Sequence, residues 1–178
     1  GFPVAERLAS EGYSAFVLKY RTVETPPEPK AFLQMVAARF QVSGREPLQP
    51  FAPAVEDLSS AIDYVAENCA AYGCSGKDIG LIGFSAGGQS ALEVLGTLPE
   101  ETPISNTALI YPPMTKIREG SSFPSVFLAI AADDPLFLQG DFALPEAFSE
   151  TADQFEFHLY GAGGHGFGAL RKGSTSEA

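Results

Sequence analysis

Gly83-Phe84-Ser85-Ala86-Gly87 reads G-x-S-x-G, set between an apolar run (Ile79-Gly80-Leu81-Ile82) and a helical pattern from Gln89 to Leu95. That setting describes a nucleophile elbow, in which a serine sits on a sharp strand-to-helix turn in a strained backbone conformation. Glycines two positions before and after the serine are expected, since side chains there would collide as strand and helix close up. The helix start beneath the serine turns its free N–H groups toward developing negative charge. A serine hydroxyl is a poor nucleophile at neutral pH, so the reading demands a base within hydrogen-bond reach.

Two histidines are available. His158 alternates with Phe157 and Leu159 inside a strand pattern and reads as a face residue. His165 lies in Gly161-Ala162-Gly163-Gly164-His165-Gly166, a glycine-rich loop just past the C-terminal end of that strand. Ligand and catalytic groups in parallel sheets gather at those ends, so His165 is the candidate general base. The third member must be a carboxylate that holds the imidazole tautomer and stabilises the imidazolium. Asp133 and Asp134 end the apolar run 125–132 and precede Pro135-Leu136. Asp134 is the expected carboxylate, with Asp133 a turn-capping acid. The chain order Ser85, Asp134, His165 differs from the chymotrypsin and subtilisin orders.

The elements that must position these side chains alternate strand and helix, which indicates an α/β domain with a mostly parallel sheet and helices on both faces. Residues 2–11 read as a helix, with Pro3 near its first turn, Val4 and Leu8 on one face and Gly12 as the stop. Residues 15–20 are an almost unbroken apolar run, expected as a strand covered on both faces. The clearest helix is 53–72, where Val55, Leu58, Ile62, Val65, Cys69 and Tyr72 recur at spacings of three and four before Gly73. Strands over 107–111 and 125–132, a helix over 144–152 and a strand over 155–160 complete the order. Residues 22–50 hold five prolines and a short amphipathic piece with Phe32, Val36 and Phe40. That stretch reads as packed against the body, with a lid over a pocket as the alternative.

Composition narrows the possibilities. The 178 residues, 45% hydrophobic, suffice for one domain with a substantial core. Twenty-two acidic residues against eleven basic ones give a net charge of −11, which argues against nucleic acid or an anionic membrane as partner. Between Glu119 and Leu170 there are eight acidic residues and no Lys or Arg, which reads as a solvated acidic face. No stretch approaches the roughly 18 apolar residues of a membrane span. No signal peptide is visible, and the compartment stays open between cytoplasmic and secreted. Cys69 and Cys74 have neither zinc nor C-x-x-C spacing; they read as packed free thiols, with a local disulfide as the alternative.

Taken together these motifs resemble the α/β-hydrolase esterases grouped with acetylxylan and feruloyl esterases, alongside the broader acetyl esterase/lipase set. Gly1 to Leu8 and Phe16 to Arg21 look like that family's helix and strand after the oxyanion loop. The elbow, Asp133-Asp134-Pro135-Leu136 and Gly164-His165-Gly166-Phe167-Gly168 look like its three catalytic loops. The resemblance implies an α/β-hydrolase fold and a Ser85–His165–Asp134 triad, the aspartate before proline being the member. It also implies an oxyanion contact from the Ala86 N–H and no metal or organic cofactor. The implied activity is cleavage of carboxylic esters of small molecules or carbohydrates, with short acyl groups such as acetyl favoured by a short segment (112–123) where relatives insert a cap. A prolyl-oligopeptidase-like peptidase and a catalytically silent hydrolase-like binding protein are the alternatives. Gln89 stands where the broader group often has histidine. The family's upstream glycine-rich segment and its central strand have no match here, and residues 171–178 are short for its closing helix. A fragment is therefore expected, with a gap beside the elbow strand or that gap filled from outside this sequence; direct pairing of 15–20 with 79–84 is the alternative.

Overall fold

Four strands with branched and aromatic runs pair in parallel, which requires crossover connections and leaves their C-terminal ends together on one edge. The computed structural model describes residues 1–40, 51–99, 101–115, 117 and 121–168. In chain order these form α1 (Phe2–Ser10), α2 (Pro29–Phe40), α3 (Ala52–Asn68), a 3-10 turn (Cys69–Tyr72), β1 (Ile79–Phe84), α4 (Ala86–Leu95) and β2 (Ile104–Ile110). There follow β3 (Ser125–Ala131), α5 (Pro135–Gly140), α6 (Ala143–Thr151) and β4 (Phe155–Tyr160). The strand order is β1-β2-β3-β4, every pair parallel. The α/β architecture expected from the sequence is the one observed.

β3 is the heart of the core. Val126, Leu128, Ala129, Ile130 and Ala131 are each at most 3% exposed, so both faces of the strand are covered. Phe123 and Phe148 meet edge to face at 5.1 Å beneath it, each fully buried. Burying a ring of that size contributes about 1.5–3 kcal/mol. α4 packs on β1 and β2, α3 packs on α4, and α6 packs on β4. α3 begins with proline in its first turn, and its one strongly buried large side chain, Ile62, joins the cluster under α4.

The run 15–20 departs from expectation. It forms no ladder: these residues lie outside every strand. Direct pairing with β1 does not occur, and among the described residues no strand lies on the free edge of β1. Phe16, Val17 and Leu18 are 36–43% exposed, as is Ile82 of β1 at 41%. The segment is held instead through its ends. Ser14 Oγ donates to the Tyr72 carbonyl (3.1 Å), Phe16 lies edge-on to Tyr72, and Arg21 grips Asp57 through its backbone N–H (2.7 Å) and its Nε (2.9 Å). Apolar composition alone did not make a strand, because a strand needs a partner edge to satisfy its backbone.

The cysteines are also corrected. Cys69 and Cys74 form a disulfide, with Cα atoms 5.1 Å apart. The 3-10 turn and Gly73, in the left-handed region at φ 74°, reverse the chain and bring Cys74 back onto the end of α3. The amphipathic piece around Phe32 is helical (α2), but Val36, Phe40 and residues 41–50 bear on the lid question and lie outside the described side chains. Residues 171–178 lie outside the described residues too.

Candidate active site

The register fixes where the site forms. Phe84 of β1 sits opposite Ile110 of β2, and the next residue, Ser85, donates its N–H to the Ile110 carbonyl (3.0 Å). There the chain turns sharply. Ser85 has φ 50° and ψ −116°, and α4 starts at Ala86. A side chain held in that region costs on the order of 1–3 kcal/mol, which persists only where the surroundings fix it. They do so through glycine. A Cβ on Gly83 would lie 2.8 Å from the Gly87 carbonyl oxygen and the Gly88 Cα, a backbone collision nothing can relieve. The expectation for Gly87 fails, since a Cβ there would meet only the Tyr20 hydroxyl at 3.9 Å. The crowded position is one further on: at Gly88 a Cβ would come within 3.0 Å of Pro112, where the chain leaving β2 crosses the start of α4.

From the end of β3 comes Asp134, fully buried. It is the N-cap of α5, a short helix to which the sequence analysis assigned no element. Its Oδ1 accepts the Leu136 N–H (2.8 Å), and its Oδ2 lies 2.8 Å from His165 Nδ1. A carboxylate only accepts, so Nδ1 is the N–H donor and Nε2 is left to accept. Nε2 is 2.8 Å from Ser85 Oγ. Residues from three strand ends thus form one line of hydrogen bonds, carboxylate to imidazole to hydroxyl. The histidine side chain is 22% exposed, and Ser85 beside it is half-buried.

The remaining residues singled out from sequence fall as follows. Asp133 is exposed, and its Oδ1 accepts the N–H of Gly164 (2.8 Å), the residue before His165. Ala86 is the first residue of α4, directly after the serine. The Gln89 N–H donates to the Ser85 carbonyl (3.0 Å). His158 stays on β4, with its Nε2 against Glu156 and its ring against Phe127. Among the described residues, no three His, Cys, Asp or Glu side chains cluster closely enough to hold a metal ion. Away from the site, hydrogen bonds from Arg21 hold the exposed Asp57 carboxyl below its ordinary range, and Arg21 is raised in turn by Asp57 and then Glu56.

Sequence reasoning missed Tyr111. It ends the β2 run, only 9% exposed, with φ 41°. Its ring centroid lies 5.1 Å from that of His165, 5.2 Å from Phe167 and 6.0 Å from Phe84. The available signal was its place: directly past the end of a parallel strand and directly before Pro112, where the backbone is constrained.

Comparison with known proteins agrees with this geometry. A family model described as BD-FAE matches residues 30–117. No curated protein matches the chain. Among solved structures, MGS-M1, an α/β-hydrolase enzyme from a Medee basin deep-sea metagenome library, is 26% identical with a TM-score of 0.64. The match covers 93% of this chain and 62% of that one. An acetyl ester-xyloside bifunctional hydrolase from Caldicellulosiruptor lactoaceticus is 22% identical, with a TM-score of 0.65 over 92% of this chain and 66% of its own. A sugar hydrolase (YeeB) from Lactococcus lactis is 19% identical, with a TM-score of 0.63 over 92% of this chain and 68% of its own. The chain therefore spans less than two thirds of the first two relatives' length. The fold is that of the α/β-hydrolases.

Proposed function

For a chain with the α/β-hydrolase fold and a resemblance to that fold's esterases, we propose hydrolysis of carboxylic esters through an acyl-enzyme. The observation that carries this reading is the line Asp134–His165–Ser85, closed at 2.8 Å on both sides of the imidazole. Ser85 Oγ attacks the acyl carbonyl carbon while its proton passes to His165 Nε2. The imidazolium so formed is stabilised by Asp134, which accepts from Nδ1 throughout. The carbonyl oxygen, now an oxyanion, takes a hydrogen bond from the Ala86 N–H at the start of α4. Collapse expels the alcohol, which takes the proton from Nε2. Water then repeats the sequence on the acyl-serine: it gives one proton to His165 as it attacks, and Nε2 returns that proton to Ser85 Oγ as the acid leaves.

The substrates are short acyl esters, acetyl above all, carried on small molecules or carbohydrate. Two features support this. The segment after β2 is short, and one similar structure is an acetyl ester-xyloside hydrolase. Labelling with a fluorophosphonate and turnover of p-nitrophenyl acetate test the reading in the intact protein. Ser85 is expected to carry the label, and Ser85→Ala to lose both label and turnover, by about 10⁴-fold or more. Labelling at another residue, or cleavage of peptides in preference to esters, would overturn it.

A further inference from the structure

Ser85 and Tyr111 are two of three non-glycine residues with φ above zero among those described, and both stand at the ends of adjacent strands. At Ser85 the motif accounts for the strain. At Tyr111 no motif does. A left-handed backbone favours glycine, and a bulky side chain there is retained only where something else requires it. Here the ring lies between the residue before the serine and the two rings of the histidine loop. The backbone on either side is tied to the same site: the Ile110 carbonyl receives the Ser85 N–H, and the Tyr111 N–H donates to the Ala129 carbonyl (2.7 Å).

We propose that Tyr111 is a positioning residue for His165, its ring fixing the plane of the imidazole so that Nε2 stays aimed at Ser85 Oγ. The hydrogen bonds to Asp134 and Ser85 act at the two ring nitrogens, and the plane of the imidazole is set by what packs against the ring. Tyr111 meets that ring at an interplanar angle of 69°, edge to face, which blocks a tilt. Phe167, packed on the same tyrosine at 63° and only 3% exposed, holds the far side of the loop. The strain at φ 41° is thus the cost of putting a ring where a glycine would sit without strain but leave the imidazole unsupported. A tilt that moves the base by about 1 Å is enough to lose on the order of 10²-fold in rate.

This inference rests on the esterase reading, and its test separates the two. In the intact protein, Tyr111→Leu is expected to lower kcat for p-nitrophenyl acetate by about 10- to 100-fold with KM held within about threefold. Tyr111→Phe, which keeps the ring, recovers most of the loss. The low-field Nδ1 proton of the Asp134–His165 hydrogen bond, read by NMR without any substrate, stays sharp in wild type and Tyr111→Phe and broadens in Tyr111→Leu. Should the leucine variant not fold, Tyr111→Met carries the same comparison with more of the volume filled. Full kcat in a folded variant without the ring would overturn the proposal. So would equal losses in Tyr111→Phe and Tyr111→Leu, which would assign the effect to the hydroxyl. If wild type neither labels at Ser85 nor turns over esters, the functional reading fails, and the proton resonance still decides whether Tyr111 orders His165.

Discussion

Residues 15–20 and strand β3 have nearly the same composition and opposite fates. One reads Ala-Phe-Val-Leu-Lys-Tyr and the other Ser-Val-Phe-Leu-Ala-Ile-Ala. β3 is flanked by β2 and β4, buried on both faces, and delivers Asp134 to the site. Residues 15–20 pair with nothing in the sheet, keep Phe16, Val17 and Leu18 partly exposed, and are tied on by side chains at their ends. An apolar run states a demand for burial. Whether that demand is met depends on neighbours that the run itself does not encode. Function follows the same division, since every group in the hydrogen-bonded line comes from the C-terminal ends of β1, β3 and β4.

That contrast can be broken first at the site. Asp134→Asn is expected to lower kcat by about 10⁴-fold. Both carboxylate oxygens are engaged as acceptors, by Leu136 N–H and by His165 Nδ1–H. An amide must turn its NH₂ toward one of these donors, and if it faces Nδ1 the imidazole is driven into the tautomer that cannot take the serine proton. Asp133→Asn keeps an acceptor for the Gly164 N–H, and its effect on kcat should be far smaller. Steady-state kinetics on the two variants that ranked them the other way would put the wrong carboxylate in the line.

Packing gives the next test, with one residue type in both regions. Leu128, fully buried in β3, should lose about 2–5 kcal/mol on truncation to alanine. Leu18, 36% exposed, should lose under about 1 kcal/mol on the same change. Urea unfolding of the two variants measures both, and equal losses would mean that 15–20 is as well packed in solution as β3.

The smallest effect concerns the anchor that replaces the ladder. Asp57 is held below its ordinary value of 3.8 chiefly by hydrogen bonds from Arg21. A depressed carboxyl stabilises the fold above its unfolded-state pKa and loses that contribution as pH falls through the folded value. Arg21→Ala should therefore be slightly less stable than wild type at pH 7, and the two should converge as the pH drops below 3.8. The pair is exposed and screened, so the gap at neutral pH should also shrink with salt. A gap that widened in acid would reverse the assignment of the anchor.

Much of this was legible because its signals are local. Ser85 is announced by glycines and by the change from apolar run to helical spacing; His165 and Asp134 each follow a strand pattern by a few residues. What was not legible depends on contacts across the fold. Tyr111 looked like the end of a strand because its three ring partners lie far from it in sequence. The disulfide, weighed only as the alternative to free thiols, needed the turn at Gly73 that brings Cys74 back onto the end of α3. Gly87 was credited with a role that belongs to Gly88, because which helical residue faces Pro112 is a matter of phase. Residues 15–20 were misread for the reason given above: the apolar run was clear, and a run does not encode the edge it must pair with.

Strand order carries one more consequence, which lies in time. Among the described residues the four strands lie side by side in the order in which a ribosome makes them. Ser85 emerges just after β1, and His165, 80 residues later, just after β4. At 5–20 residues per second that interval is about 4–16 s. During it the Ser85 hydroxyl has no base beside it, and Asp134, made 31 residues before His165, has no imidazole to orient. On the esterase reading proposed above, a nascent chain that has not yet made the histidine loop would not cleave the esters around it.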